Sequence, residues 1–335
     1  MGAGLRKRVV ALAAAVLLVP ALASCSGDDD SVKIGYIAGA TVPIMDVVAE
    51  EKGFFEARDV DVEKVTAANG PSLVNLAVAG GLDVTWAPTS NVLAASSQVE
   101  VVSGALRSYA FEMIQRNGYD DAAFDKAYPE NLKELSGARI GVSATGSYGQ
   151  VIAEQMLREA GVDPGDVTFV GVGVEGTSLG ALKSKQIDLL MAGPVTTAKA
   201  EVDDIATSLV GTRDIPRLAQ LPEDMYVVKK GADDKTRDKA SRYLAAIQDA
   251  ITWSNDPANA KELGEILAKH FELEGDLAAL VAEQWAPTGG DLINEFRLSI
   301  DPKGYEAINK MLVDNGLLKA PVAYDDLVRQ IEPKV

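Results

Sequence analysis

One pattern constrains this chain more than any other. A short apolar strand runs into a turn of small and hydroxyl residues, a helix follows, and the unit repeats. Val32-Lys33-Ile34-Gly35-Tyr36 is the first strand, and its turn Gly39-Ala40-Thr41 leads into an apolar-periodic helix over 42–52. A strand at 60–65 runs into Asn69-Gly70-Pro71-Ser72 and a second helix, and Leu82-Asp83-Val84 runs through Pro88-Thr89-Ser90-Asn91 into a third. About one hundred residues later the order returns. Lys33-Ile34-Gly35 is echoed by Arg139-Ile140-Gly141, Asn69-Gly70-Pro71-Ser72-Leu73 by Glu175-Gly176-Thr177-Ser178-Leu179, and Leu82-Asp83-Val84 by Ile187-Asp188-Leu189. Three matches in order predict two similar α/β lobes. In an open α/β sheet the strand ends line the ligand crevice, and helix starts there offer unpaired N–H groups and partial positive charge. Two such lobes imply a cleft for a small molecule.

The 335-residue length agrees with two domains rather than one. A net charge of −17 argues against nucleic acid, which needs a basic face, and against adhesion to anionic head groups. It says nothing about the sign of a bound ligand, which helix ends and single residues decide.

The N-terminus reads as a targeting segment. Arg6-Lys7-Arg8 precedes an apolar run over 9–19 that is too short for a comfortable membrane span. Leu22-Ala23-Ser24-Cys25 then resembles the lipobox of bacterial lipoproteins, in which the cysteine is lipidated and becomes the mature N-terminus. The alternative is an ordinary secretory signal with an incidental cysteine. Cys25 is the single cysteine, so a disulfide within the chain is excluded. The polar stretch 26–31 reads as a flexible tether.

Further strands are expected at 99–106, 111–115, 139–143, 166–170, 187–192, 205–210 and 225–228. The chain is expected to cross between lobes near 107–116 and to return over 211–219. Helical periodicity dominates from 233 onward, and this tail is expected to pack on the first lobe.

Much familiar chemistry is missing from the sequence. His270 is the one histidine and sits within an apparent helix, where a structural or solvent-facing role is the ordinary one. No Cys/His metal spacing, Gly-x-Ser-x-Gly elbow or phosphate loop is present. Gly171-Val172-Gly173-Val174-Glu175-Gly176 matches the dinucleotide pattern, but Gly193-Pro194 stands where the acid after the next strand belongs. No catalysis, cofactor or metal is expected. Thr89-Ser90-Asn91, Thr145-Gly146-Ser147 and Thr177-Ser178 are N-cap signals. Capping alone accounts for any one of them; three facing a common cleft would also bind sulfonate, phosphate, nitrate or carboxylate oxygens without arginine. Tyr36, Trp86, Tyr109, Phe111 and Tyr148 lie near the same turns, with Tyr109 and Tyr148 the strongest candidates to leave the core. Glu175 would receive an ammonium or amide, or face water.

With the lipobox, two lobes and helical tail in view, the chain resembles the solute-binding proteins of ABC importers, in the nitrate/sulfonate/taurine and thiamine-precursor group. The resemblance is carried by Val32-Lys33-Ile34-Gly35-Tyr36, Glu51-Lys52-Gly53-Phe54-Phe55, Leu76-Ala77-Val78-Ala79-Gly80-Gly81-Leu82-Asp83-Val84, Asn131-Leu132-Lys133-Glu134-Leu135-Ser136-Gly137-Ala138-Arg139-Ile140-Gly141-Val142, Ala160-Gly161-Val162-Asp163-Pro164-Gly165-Asp166-Val167 and Ala181-Leu182-Lys183-Ser184-Lys185-Gln186-Ile187-Asp188. It implies an α/β fold of the periplasmic-binding-protein type II, two lobes joined by a hinge, with a helical C-terminal tail. The expected organisation is a signal peptide at 1–24, lipidated Cys25 and tether at 25–31, lobe 1 with the tail at 32–108 and 218–335, and lobe 2 at 109–217. The expected ligand-binding residues are Thr41, Asn69, Thr89, Ser90, Thr145, Ser147, Tyr148, Glu175 and Thr177. Where relatives often carry an aromatic and an acid after the fifth repeated strand, this chain has Met191-Ala192-Gly193-Pro194-Val195-Thr196, a smaller and less polar wall. The expectation is a monomeric, lipid-anchored receptor on the extracytoplasmic face of a bacterial membrane. It delivers a small organic solute or a sulfonate-, taurine- or nitrate-like anion to an ABC permease. The alternatives are a pyrimidine, thiamine-precursor or aromatic solute, an enzyme on the same fold that processes a thiamine precursor, and a sensor lobe.

Overall fold

The computed structural model describes residues 30–37, 43–108, 110–174 and 176–334. The signal, Cys25, most of the tether, Thr41, Tyr109 and Glu175 lie outside the described residues. Ser31–Val335 form one compact unit.

Two sheets organise that unit. The chain begins with β1 (Val32–Tyr36), α1 (Ile44–Glu51), α2 (Phe54–Ala57), β2 (Val62–Thr66), α3 (Gly70–Ala79), β3 (Thr85–Pro88), α4 (Thr89–Ala94) and β4 (Val99–Leu106). It continues with β5 (Glu112–Arg116), β6 (Arg139–Val142), α5 (Tyr148–Glu159), β7 (Thr168–Gly171), α6 (Gly176–Lys183), β8 (Leu189–Ala192), α7 (Pro194–Val202), β9 (Ala206–Gly211) and β10 (Asp224–Lys229). The tail holds α8 (Asp234–Ser254), α9 (Ala260–His270), α10 (Gly275–Trp285), α11 (Pro302–Asp314) and α12 (Tyr324–Leu327).

β1 and β2 pair in parallel, and the bridge between Ile34 and Val84 carries them onto the group β3-β10-β4. The second sheet runs β7-β6-β8-β5-β9. The plan is the same in both. Three parallel-related strands are followed by one strand that the chain inserts on crossing between sheets, antiparallel to both neighbours. In the first sheet that strand is β10, and in the second it is β5. Because each inserted strand is antiparallel, its beginning lies beside the ends of its neighbours, at the crevice edge.

The repeated residues turn out to be framework. Asp83 Oδ2 accepts from the Lys33 N–H at 2.8 Å, and Asp188 Oδ2 accepts from the Arg139 N–H at 3.0 Å. In each sheet, then, an aspartate before the third strand ties down the first. The repeated glycines allow close approach. A Cβ on Gly35 would stand 2.3 Å from Leu73 Cδ2, and one on Gly141 would stand 2.4 Å from Ile187 Cδ1.

The two connections between sheets run over 107–111 and 212–223, and the Thr212 N–H donates to the Phe111 carbonyl at 2.8 Å. The tail does not pack on the first sheet alone. Tyr243, Leu244 and Ile247 of α8 join a core with Val32, Ile34, Ile44 and Val48. Tyr305, Ile308 and Leu312 of α11 join a core drawn from both halves, with Val92 and Leu93 of α4 as well as Ile152 and Met156 of α5, and α10 lies against α7. Asn315, which closes α11, donates through Nδ2 to Gln155 Oε1 at 3.0 Å. Helical periodicity predicted these helices, but a period cannot say against which neighbour a helix packs.

Candidate functional site

A cavity of about 130 Å³ opens where the crevice ends of the two sheets meet. The first half contributes Ile37 after β1, Asn69 and Gly70 at the start of α3, Trp86 and Pro88 of β3, and Glu223 and Asp224 at the start of β10. The second half contributes Phe111 before β5, Ser143 after β6, Ser147 and Tyr148 at the start of α5, Gly173, Val174 and Ser178 around the start of α6, and Leu190 to Gly193 with Thr196 around the end of β8. Trp86, Phe111 and Tyr148 give the walls aromatic surface, and the Phe111 and Tyr148 rings lie 6.2 Å apart at 35°. Opposite turns also touch directly, since Asn91 Nδ2 donates to the Gly146 carbonyl at 3.2 Å.

The electrostatics of this cavity are unusual. Among its described lining residues there is no lysine, arginine or histidine, while two neighbouring residues are acids. Glu223 is 6% exposed and Asp224 1% exposed. Glu223 Oε2 and both Asp224 carboxyl oxygens are buried without a hydrogen-bond partner among the described residues. Burial pushes the Asp224 carboxyl up to about 8, and burial together with the adjacent Asp224 pushes Glu223 well above the usual carboxylate range. Burial, reinforced by the same two acids, also lifts the Tyr148 hydroxyl well above its ordinary value. At neutral pH the pair therefore holds protons, and a protonated carboxyl offers one donor and one acceptor.

The structure brings together some of the residues expected from sequence. Asn69, Ser147 and Tyr148 line the cavity. Asn69 Oδ1 accepts from the Ser72 N–H at 3.0 Å and from Ser72 Oγ at 2.8 Å, and Ser147 Oγ accepts from the Gln150 N–H at 3.5 Å, so both are caps as well as wall. Thr89, Ser90, Thr145 and Thr177 are not among the lining residues. Thr89 and Ser90 start α4 but are buried, their hydroxyls turned into the protein. Thr145 is exposed. Thr177 is exposed and donates to the Val174 carbonyl at 2.8 Å, while its neighbour Ser178 takes the place in the wall. A helix start leaves the backbone N–H groups at the crevice but does not dictate which way each hydroxyl turns. Glu223 and Asp224 were missed because the segment before β10 reads as a connection. The available signal was Glu223-Asp224 immediately ahead of the apolar Met225-Tyr226-Val227-Val228, two adjacent charges about to enter a buried strand.

Among the described residues, no cluster of three or more histidine, cysteine, aspartate or glutamate side chains could hold a metal ion. No described helix is long and apolar enough to cross a membrane.

Two sheets of this order, a ligand-sized cavity between their crevice ends and a helical tail define the periplasmic-binding-protein fold. The chain belongs to the NMT1-like family, which matches residues 26–268. It is similar to a candidate binding protein of Brucella abortus (strain 2308), 25% identical over 95% of both chains. It is also similar to a candidate thiamine biosynthesis protein of Haemophilus influenzae, 24% identical over 85% of this chain and 87% of that one. Among solved structures, the periplasmic aliphatic sulphonate-binding protein of Escherichia coli superposes with a TM-score of 0.68 at 15% identity, covering 91% of this chain and 94% of that one. The ligand-binding component of an ABC-type import system of Staphylococcus aureus superposes with a TM-score of 0.69 at 16% identity, covering 90% of this chain and 96% of that one.

Proposed function

We propose that this chain is the extracytoplasmic receptor of an ABC importer, which captures a small solute between its two halves and hands it to a membrane permease. The observation that carries the reading is the aromatic-walled cavity of about 130 Å³ between the crevice ends of the two sheets. The family and the fold shared with a sulphonate-binding protein and an importer's ligand-binding component support it. Asn69, Ser147 and Tyr148 are the contact residues retained from the sequence reading, joined by Trp86, Phe111, Glu223 and Asp224.

For the solute, the geometry favours a flat aromatic or pyrimidine-type molecule. Trp86, Phe111 and Tyr148 supply ring surface, and the cavity is close in size to one known to take a single benzene ring, roughly 150 Å³. A sulfonate- or nitrate-like anion is the second reading, favoured by the starts of α3 and α5 at the cavity edge. The two acids weigh against it. The relative with a thiamine-biosynthesis name keeps a further alternative, an enzyme on this fold, which release of an altered solute would reveal.

A thermal-shift panel of pyrimidines, aromatic acids and bases, sulfonates and nitrate tests the reading. A true ligand at a hundred times its dissociation constant should add about 2.7 kcal/mol of stability. No shift with any class would count against the receptor. We place the receptor at the extracytoplasmic face of the cell membrane through lipidated Cys25. Cys25→Ala should move it from the membrane to the soluble fraction, and continued retention would refute the anchor.

A further inference from the structure

We propose that Glu223 and Asp224 are the specificity-determining element for a solute whose positive charge is carried on a flat nitrogen group, and that capture of this solute expels a proton from the pair. The inference rests on the solute-receptor reading and gives its site a substrate class.

The argument starts from an uncompensated cost. Burying a polar group without a partner is unfavourable by about 1–3 kcal/mol. Here three carboxyl oxygens of two successive residues are buried without partners, and all belong to groups lining one cavity. The fold did not need acids there. Asp224 pairs through its backbone with Pro88 on one side and Leu106 on the other, a place where an apolar side chain would serve β10 as well. An acid pair held at the mouth of an inserted strand is explained if the missing partner arrives with the solute.

The surroundings narrow that partner. On α5, Tyr148 stands beside the pair with a hydroxyl whose proton is held more tightly by burial and, after it, by the two acids. On β10 itself, Tyr226 is affected by Asp224 in the same way. Asp46 of α1 acts on Tyr226 rather than on the pair, and its Oδ1 accepts from Tyr243 at 2.6 Å. Asp224 also borders a much smaller cavity lined by Arg107 and Asp301, but the Arg107 guanidinium is committed to Glu295 at 2.8 and 2.6 Å. Among the described residues, no cation is among the groups that act on either carboxyl. The aromatic walls accept a ring, and ring faces attract a cation. A planar amidinium or aminoheteroaromatic cation fits both features: ring against Trp86, Phe111 or Tyr148, and N–H groups on the carboxyl oxygens.

The proton balance follows. The free pair holds protons at neutral pH. On binding, the cation replaces one of them, the carboxylate so formed pairs with the cation, and the released proton passes to solvent. Affinity should then climb about tenfold per pH unit through pH 6 and 7. It should level off above about 8, where Asp224 is already ionised in the free protein.

Benzamidinium, benzamide and benzenesulfonate share one ring and differ in the charge of the head group. Titration calorimetry of the purified full chain with each, in two buffers of different ionisation enthalpy, counts the protons. The expected result is binding of benzamidinium with release of about one proton at pH 7 and at least tenfold weaker binding of benzamide. In Asp224→Asn and Glu223→Gln, checked for a cooperative melt, the pH dependence and proton release should disappear. Equal binding of benzamide, preference for benzenesulfonate, pH-independent binding without proton release, or no binding of any probe at millimolar concentration would each overturn the inference. The proton count on the unaltered chain is decisive even if a variant fails to fold. If sulfonates stabilise the chain in the thermal panel, the receptor reading survives while this inference falls. Silence in both assays removes both.

Discussion

The two sheets share a plan and differ in what they do with their acids. In the second half, Asp188 is gripped: Arg139 donates to it through Nε at 2.9 Å and Nη2 at 2.7 Å, and Arg116 Nη2 lies 3.6 Å away. In the first half, the matching Asp83 accepts the Lys33 N–H and has the single-point Lys239 ammonium 3.3 Å from its Oδ2 in place of a guanidinium fork. At the crevice the contrast is of another kind. The first half begins its inserted strand with Glu223 and Asp224, buried and without hydrogen-bond partners among the described residues, whereas Phe111 and Glu112 stand at the start of the second half's inserted strand, and only Phe111 reaches the cavity. The repeated aspartates hold the strands, whereas of the acids at the starts of the inserted strands Glu223 and Asp224 line the cavity and Glu112 does not.

The largest test of that comparison is on the gripping aspartates. Asp188→Ala should cost about 2–4 kcal/mol in urea unfolding, because it strips a partner from the mostly buried Arg116 as well as from Arg139. Asp83→Ala should cost less, about 1–2 kcal/mol, since Lys239 keeps the Ser31 carbonyl at 2.6 Å. Equal losses would break the claimed asymmetry.

A smaller effect separates the halves by pH. Burial raises Asp46 to about 6 and Asp224 to about 8. The folded state then binds protons more tightly than the unfolded chain, so stability falls as pH rises from the ordinary carboxylate range toward 8. Burial alone would also raise Asp188, but the hydrogen bonds and charge of Arg139, with Arg116, hold it below its ordinary value. Its contribution has the opposite sign, present above the unfolded pKa and lost as pH falls through the folded one. The melting temperature should drop between pH 5 and 8 by the equivalent of on the order of 1–3 kcal/mol. Asp224→Asn should flatten the upper part of that fall and Asp46→Asn the lower part. A melting curve unchanged between pH 6 and 8 would contradict the buried acid pair.

The smallest expected effect lies where the halves meet. Asn91→Ala removes the bond to the Gly146 carbonyl and should weaken solute retention by about 0.5–1.5 kcal/mol, seen as faster dissociation with little loss of stability. Unchanged dissociation would show that this contact does not hold the halves together.

Much of the fold was legible because it follows from local rules. The strand expected at 99–106 is β4 (Val99–Leu106), and the helix expected from 233 onward is α8 (Asp234–Ser254), begun by Asp233 accepting from the Thr236 N–H at 2.8 Å. Asn69 and Ser147 were legible for the same reason, since a cap at a strand-to-helix turn is a near-neighbour interaction. Thr89, Ser90 and Thr177 carry the same signal, yet their side chains turn inward or back onto their own turn.

By itself, the sequence determined two halves on one plan, a crevice at their strand ends and the helix starts that edge it. Period, caps and small-residue turns act over a few residues, and these features need nothing more. Only the tertiary structure decided that α11 packs against residues of both halves, that Trp86 and Phe111 face the cavity, and that Glu223 and Asp224 sit buried beside them. The reason is the return crossing. β10 enters the first sheet antiparallel, between β3 and β4, after more than one hundred residues spent elsewhere. That insertion carries the start of β10 to the crevice, and no pattern local to Glu223 and Asp224 encodes where the chain will place them.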